Sequence, residues 1–187
     1  PTRRSSDLLI TKLITNKIVA VYLSTEGMFL LGQLKDFLKI SNVISNAGTV
    51  NGTIKYSAQY QHDETQFKAI LGTSFKIHFY FSVIVLFVLL MFNESLSYYL
   101  FKNIDYANFL IVLGFSIVSV SIQTLFLSIL NGLGRVKVYV LINAISTILG
   151  AIIMVFLILN FDIKGALYAF AINQFLAFLI TSDGLII

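Results

Sequence analysis

Apolar residues along the chain gather into long runs with few charges, not into the two-residue alternation of a half-buried strand. A helix needs about 20 mostly apolar residues, rising 1.5 Å each, to cross ~30 Å of hydrocarbon. Residues 69–92, 107–130, 138–159 and 163–180 come close to that length or exceed it. Two weaker segments lie upstream. Residues 9–23 are apolar but only about 22 Å long as a helix, which is how a spanning helix would look with its beginning missing. Residues 27–47 have the length but include Lys35, Asp36 and Lys39. The pattern predicts an all-α, polytopic membrane protein: a lobe of six helices, the first truncated, with both ends on one side.

The connectors are polar. Ser24-Thr25-Glu26-Gly27 reads as a tight turn, and 48–66 as a longer polar loop with Lys55, His62, Asp63 and Glu64. Residues 93–106 form a connector with Glu94, Lys102 and Asp105. Residues 131–137 are a glycine-punctuated turn with Arg135 and Lys137, and Asn160-Phe161-Asp162 is a short one. Residues 1–8 are polar and unlike everything after them. They match the frame translation of a common sequencing adapter and are expected to be a scar, which leaves 9–187 as the transmembrane lobe. Arg3-Arg4 also permits a twin-Arg export signal, but no cleavage site follows.

Composition points to lipid as the solvent. Of 187 residues, 57% are apolar and 12% charged, and the mean hydropathy is +0.87. A soluble domain carries about a quarter charged residues, and a chain this short cannot hide such an apolar excess in one core. Zero cysteines exclude a disulfide scaffold and a thiolate metal site, and two histidines leave little for a histidine one, so no metal or cofactor is expected. There is no tryptophan, and nine tyrosines can take the interfacial role instead. The formal charge of +4 is spread thinly with no Lys/Arg cluster, which gives no sign of a nucleic-acid partner. The loops after the second and fourth segments hold Lys55, Lys68, Arg135 and Lys137, against Lys102 and Lys164 in the others. That excess places the former loops, and the amino end, in the cytoplasm.

Ionisable residues inside the spans stand out, because each costs about 2.5–3.5 kcal/mol near mid-bilayer unless it faces protein or water. Lys12 and Lys17 fall in the first segment, Lys35, Asp36 and Lys39 in the second, and Lys76 and His78 in the third. Steps of four and three put Lys35, Lys39, Asn42, Asn46, Thr49 and Thr53 on one helical face, with Leu30, Phe37, Ile40 and Ile44 pointing away. Asp36 sits beside that stripe, close enough to pair with Lys39. Lys17, Lys35 and Lys39 are read as lining a wet, cationic cavity. The alternative for the second segment is an amphipathic helix lying on the membrane. Lys12 and Lys76 can instead snorkel to the headgroups, and His78 reads either as a proton-linked group near Lys76 or as a packed residue. Asp36, Lys76 and His78 are thus the candidates for ion coupling. Ser116, Ser119 and Gln123, then Tyr139, Asn143, Ser146 and Gly150, then Tyr168 and Gln174, mark weaker polar faces that suit helix packing.

Catalytic constellations are missing. Gly132-Leu133-Gly134 lacks the Gly-Lys of a phosphate loop, no serine stands in a nucleophile elbow, and no carboxylate pair is placed for acid–base work, so an enzyme is not expected. A lysine-lined cavity suits an anion, and in a membrane a phosphate-bearing lipid.

The run Thr15-Asn16-Lys17-Ile18-Val19-Ala20-Val21-Tyr22-Leu23, then Glu26-Gly27 and Leu31-Gly32-Gln33, resembles the opening of the Wzx-type O-antigen and polysaccharide flippases. The most specific part is Asn51-Gly52-Thr53-Ile54-Lys55-Tyr56-Ser57-Ala58-Gln59-Tyr60, followed by Gly72-Thr73-Ser74. Asp105-Tyr106, Asn131-Gly132 and Gly165-Ala166-Leu167 extend the likeness more loosely to about Thr181. This resemblance implies a member of the multidrug/oligosaccharidyl-lipid/polysaccharide exporter superfamily. Such proteins move undecaprenyl-diphosphate-linked oligosaccharide repeats across the bacterial inner membrane, using two lobes of six helices, of which this chain would supply the first. It implies a lipid-linked oligosaccharide and membrane lipids as partners, with a polysaccharide polymerase complex alongside, and no catalytic residue. Lys17 falls where relatives carry Lys, and Lys35 where they carry Arg or a polar residue; Asp36 and Lys39 match no family pattern. Three rival readings remain at this point. A multidrug exporter of organic cations would present acidic groups to the cavity. A non-transporting subunit of a polysaccharide-assembly complex would need no charges in its spans. A membrane glycosyltransferase would use carboxylates such as Asp63 and Glu64 at the interface.

Overall fold

The structure, a computed structural model, describes Lys17, Tyr22 and residues 25–184. The expectations for 1–8, for Lys12 and for most of 9–23 lie outside the described residues; within that last segment Lys17 and Tyr22 are both helical. Every regular element among the described residues is a helix: α1 (Thr25–Ser45), α2 (Val50–Gln59), α3 (Glu64–Met91), α4 (Asn93–Phe101), a 3-10 turn (Ile104–Tyr106), α5 (Ala107–Gly132) and α6 (Val136–Gly184). The all-α expectation holds, and α3, α5 with its preceding turn, and α6 are long and apolar enough to cross a membrane.

α6 is two rods. Asp162 (φ 50°, ψ −132°) breaks it, and the chain reverses there. The Leu157 carbonyl lies where a side chain on Gly165 would begin, and the Asn173 amide rests on Gly150. Residues 136–161 and 163–184 therefore pack antiparallel, each at least 20 residues and so long enough to span. These arms correspond to the predicted segments 138–159 and 163–180.

The ends of the rods follow local chemistry. Asp63 caps α3, its side chain accepting from the Gln66 backbone N–H at 3.0 Å. After α5, Gly134 takes the left-handed conformation (φ 69°). There the Arg135 N–H reaches the Leu130 carbonyl at 2.9 Å and the Gly134 N–H that of Asn131 at 3.1 Å, which closes the helix with its last carbonyls satisfied.

Three expectations about connectors are corrected. Thr25, Glu26 and Gly27 form the first turn of α1 instead of a tight turn. The loop expected over 48–66 contains α2, held because its Thr53 and Ser57 are buried against the bundle. The connector expected over 93–106 contains α4 and the 3-10 turn.

Packing is inverted relative to a soluble protein. Large apolar side chains such as Ile40, Val43, Tyr80, Phe87, Met91, Ile152 and Phe156 are exposed, whereas Ser41, Ser45, Ser74, His78, Ser82, Ser97, Ser121 and Thr181 are buried. Leu31, Leu34 and Leu38 of α1 meet Val85 and Leu89 of α3 and Leu110, Leu113 and Ile117 of α5 in the main apolar cluster. Small residues let rods approach closely where lipid supplies no hydrophobic drive between them. The Ser116 hydroxyl of α5 lies 3.2 Å from the Ala171 carbonyl of α6 and 3.0 Å from the Val112 carbonyl of its own helix, sharing its proton between them at the contact of the two rods.

Close approach sets a clear test. Gly165→Ala should lower the midpoint of thermal unfolding in detergent, in line with overpacking costs of about 1–3 kcal/mol, because its methyl meets backbone. Gly72→Ala, inside α3 with nothing within 4 Å, should instead raise it, in line with the roughly 0.5–1 kcal/mol by which alanine is favoured over glycine within a helix.

Candidate functional site

α1 and α2 are one rod interrupted. Ser45 of α1 and Ser57 of α2 lie along α5 in order, next to Ser121 and Gly132 respectively. Between them, at 46–49, Ala47 (φ 48°) and Gly48 (φ 66°) both adopt the left-handed conformation. Glycine accepts that readily, but alanine does so at a cost of roughly 1 kcal/mol or more. The interruption faces His78, near the middle of α3, and Ser121, near the middle of α5.

A polar network fills the gap. The ring Nδ1 of His78 lies 2.8 Å from the Ser121 carbonyl, and its Nε2 lies 3.1 Å from the Thr49 hydroxyl. That hydroxyl is also 2.8 Å from the Asn46 carbonyl. The Ser121 hydroxyl lies 3.1 Å from the Ser45 carbonyl and 3.0 Å from the Asn46 amide oxygen. Thr53 adds a bond to Ser74 at 3.3 Å. His78 and Ser121 are fully buried. In a low-dielectric interior such groups are costly when unpaired and hold their elements firmly when paired.

The polar stripe expected along 35–53 is therefore split. Lys35 and Lys39 are exposed on α1, whereas Asn46 and Thr53 are buried. The stripe assumed an unbroken helix, and the interruption turns its second half inward.

The predicted site residues separate into two systems. Lys17, Lys35, Asp36 and Lys39 are exposed. Lys39 donates to Asp36 at 2.7 Å, the pairing expected from their spacing. Lys35 lies over the Phe170 ring of α6, 5.8 Å from its centroid, and has no carboxylate partner among the described residues. His78 is inside and Lys76 is exposed on the far side of the same helix, about 200° away. Asp36, Lys76 and His78 are not brought together. Ser121 and Ser45, which complete the network around His78, were not singled out by sequence. No group of three or more His, Cys, Asp or Glu that could hold a metal exists among the described residues.

No family model matches the chain, and no solved structure does. Among curated proteins it matches lipid III flippase of Escherichia coli (strain K12) and of Shigella flexneri, at 27% identity to each over 141 residues, 75% of this chain. The chain resembles a flippase. The similarity supports the exporter superfamily implied by the Asn51–Tyr60 motif, and the chain's own long apolar helices suit a multi-pass membrane protein. The chain spans about a third of the length of those relatives, 33%.

The network predicts an asymmetry between two serines of α5. Ser121→Ala removes the hydroxyl joining α1, α3 and α5, and should lower unfolding stability by about 1–3 kcal/mol. Ser119→Ala removes a hydroxyl whose partner is the Phe115 carbonyl of its own helix, and should change it by no more than about 0.5 kcal/mol. Parallel thermal melts in one detergent compare them.

Proposed function

We propose that this chain forms part of a flippase that carries an undecaprenyl-diphosphate-linked oligosaccharide from the cytoplasmic to the periplasmic leaflet of the bacterial inner membrane, for O-antigen or a related surface polysaccharide. The observation that carries this reading is the exposed cationic face of α1. Lys35 and Lys39 stand about 15 and 9 Å along α1 from the interruption at Ser45. A charge at such a position needs water, protein or a counter-ion. Because Asp36 is occupied by Lys39, the face remains positive, which suits a diphosphate headgroup while the polyprenyl tail stays in lipid. The likeness to lipid III flippases supports the same substrate class.

Transport of this kind makes and breaks no covalent bond. The headgroup enters a hydrated vestibule, and access alternates as one helical unit moves against another. The cations must hold the diphosphate and still release it, so exposed and hydrated lysines serve better than a dry bidentate clamp. An exporter of organic cations would want free carboxylates on this face, and the one present is neutralised at 2.7 Å.

Expressed from their own locus, Lys17→Ala and Lys35→Ala should each lower surface polysaccharide several-fold at unchanged protein level, read by glycan gels and immunoblots. Susceptibility to organic-cation drugs should stay the same. Unaltered polymer in both variants removes the cationic face from the mechanism.

A further inference from the structure

The hydrogen atoms around His78 can be counted. The Ser121 carbonyl, at 2.8 Å, only accepts, so Nδ1 is read as carrying a proton and donating to it, and the Ser121 hydroxyl, 3.2 Å from the same nitrogen, keeps its own proton for the Ser45 carbonyl or the Asn46 amide oxygen. With a neutral ring, Nε2 is then bare, and the Thr49 hydroxyl must donate to it across 3.1 Å. The same hydroxyl has one proton and sits 2.8 Å from the Asn46 carbonyl, which it cannot then serve. With a charged ring, Nε2–H donates to the Thr49 oxygen, and the hydroxyl proton is free to donate to Asn46. Both states use the same partners. What changes is the turn at the interruption: the Asn46 carbonyl holds the Thr49 N–H alone (3.0 Å) in one state, and the Thr49 N–H and O–H together in the other.

We propose that His78 is a proton-binding site whose occupancy tightens the turn between α1 and α2. A cleft of about 420 Å³ between α2 and α3 opens at the surface; Thr49, Thr53, Thr73 and Ser74 line it together with the apolar Ala69, Ile70 and Ile77, and Thr49 borders both the cleft and the ring. The proton comes from water and returns to it, with no other reactant. No fixed charge competes for the ring. On α1, Glu26, Lys35, Asp36 and Lys39 are exposed; on α2 Lys55 and Tyr56 are exposed; on α4 Glu94 is exposed; and α5 carries no titratable residue. Lys76, on α3 itself, points away. This device concerns the interruption alone and stands whether or not the chain moves a lipid-linked sugar.

The test uses the full-length protein in lipid nanodiscs, labelled with nitrogen-15 histidine, the His78 signal being assigned by its loss in His78→Gln. The neutral Nδ1–H tautomer should appear at high pH and convert to the doubly protonated ring on acidification, before the fold is lost. A signal that stays neutral until unfolding, or an Nε2–H tautomer at high pH, overturns the proposal. Residues 1–187 hold no cysteine, so with any cysteine elsewhere in the full-length protein replaced, nitroxides on Ile40→Cys and Ala58→Cys, both exposed, report on the turn. Their distance distribution should narrow as pH falls in the parent and stay constant in His78→Gln. In Thr49→Val the ring should still titrate and the distribution stay constant. A pH-independent distribution in the parent, or narrowing that persists in Thr49→Val, refutes the link between proton and turn.

Discussion

Backbone groups buried between apolar rods must find partners, and the interruption at 46–49 is where this chain cannot satisfy them with helical bonds alone. The rest of the bundle is arranged around that deficit. The Ser121 hydroxyl of α5 reaches the Ser45 carbonyl and the Thr49 hydroxyl, within the interruption, reaches that of Asn46, while His78 of α3 ties Thr49 to Ser121. To bring them together, α3 and α5 must run antiparallel past the gap with His78 and Ser121 at one level. Ala47, held in a left-handed conformation, carries a local cost that the network offsets.

The inverted packing follows from the same constraint. In lipid, an exposed Phe87 or Ile152 costs nothing, and a buried serine gains a partner it would otherwise lack. Burial of leucines therefore matters less for holding rods together than close contact does, and contact is set by small residues. Gly150 and Gly165 let the two arms of α6 meet at the distance of backbone on side chain. Gly132 does the same for α5 against Ile54 and Ser57 of α2, which ties the short helix beyond the interruption back onto the bundle.

Length and hydropathy made the long rods legible: the segments 69–92, 107–130, 138–159 and 163–180 each lie almost wholly within α3, α5 or the arms of α6, because about 20 apolar residues in a row admit few other structures. The Asp36–Lys39 pair was legible as well, being local at three residues' spacing. α2 was not. Asn51, Gly52, Lys55 and Gln59 give it a loop's composition, and it is helical because Thr53 and Ser57 find buried places on α3 and α5, a tertiary effect. The interruption was hidden because alanine at 47 gives no sign of a positive φ. The partnership of Ser121 with His78 spans 43 residues, and no periodicity within one helix reports it.

Two polar systems share α1–α2, and they differ in what completes them. The network at the interruption is closed: both ring nitrogens of His78 have partners inside the bundle, and nothing from outside is needed to balance it. The face with Lys35 and Lys39 is open. An exposed ion pair such as Asp36–Lys39 adds little by itself, and the Phe170 ring offers Lys35 only a weak contact, so the remaining charge must be met by water or by an anion. A ligand gains most where the protein leaves a charge unmatched, so the proposed headgroup site falls on the open face. The closed network is where the proposed proton site would give the turn two hydrogen-bond arrangements, one proton apart.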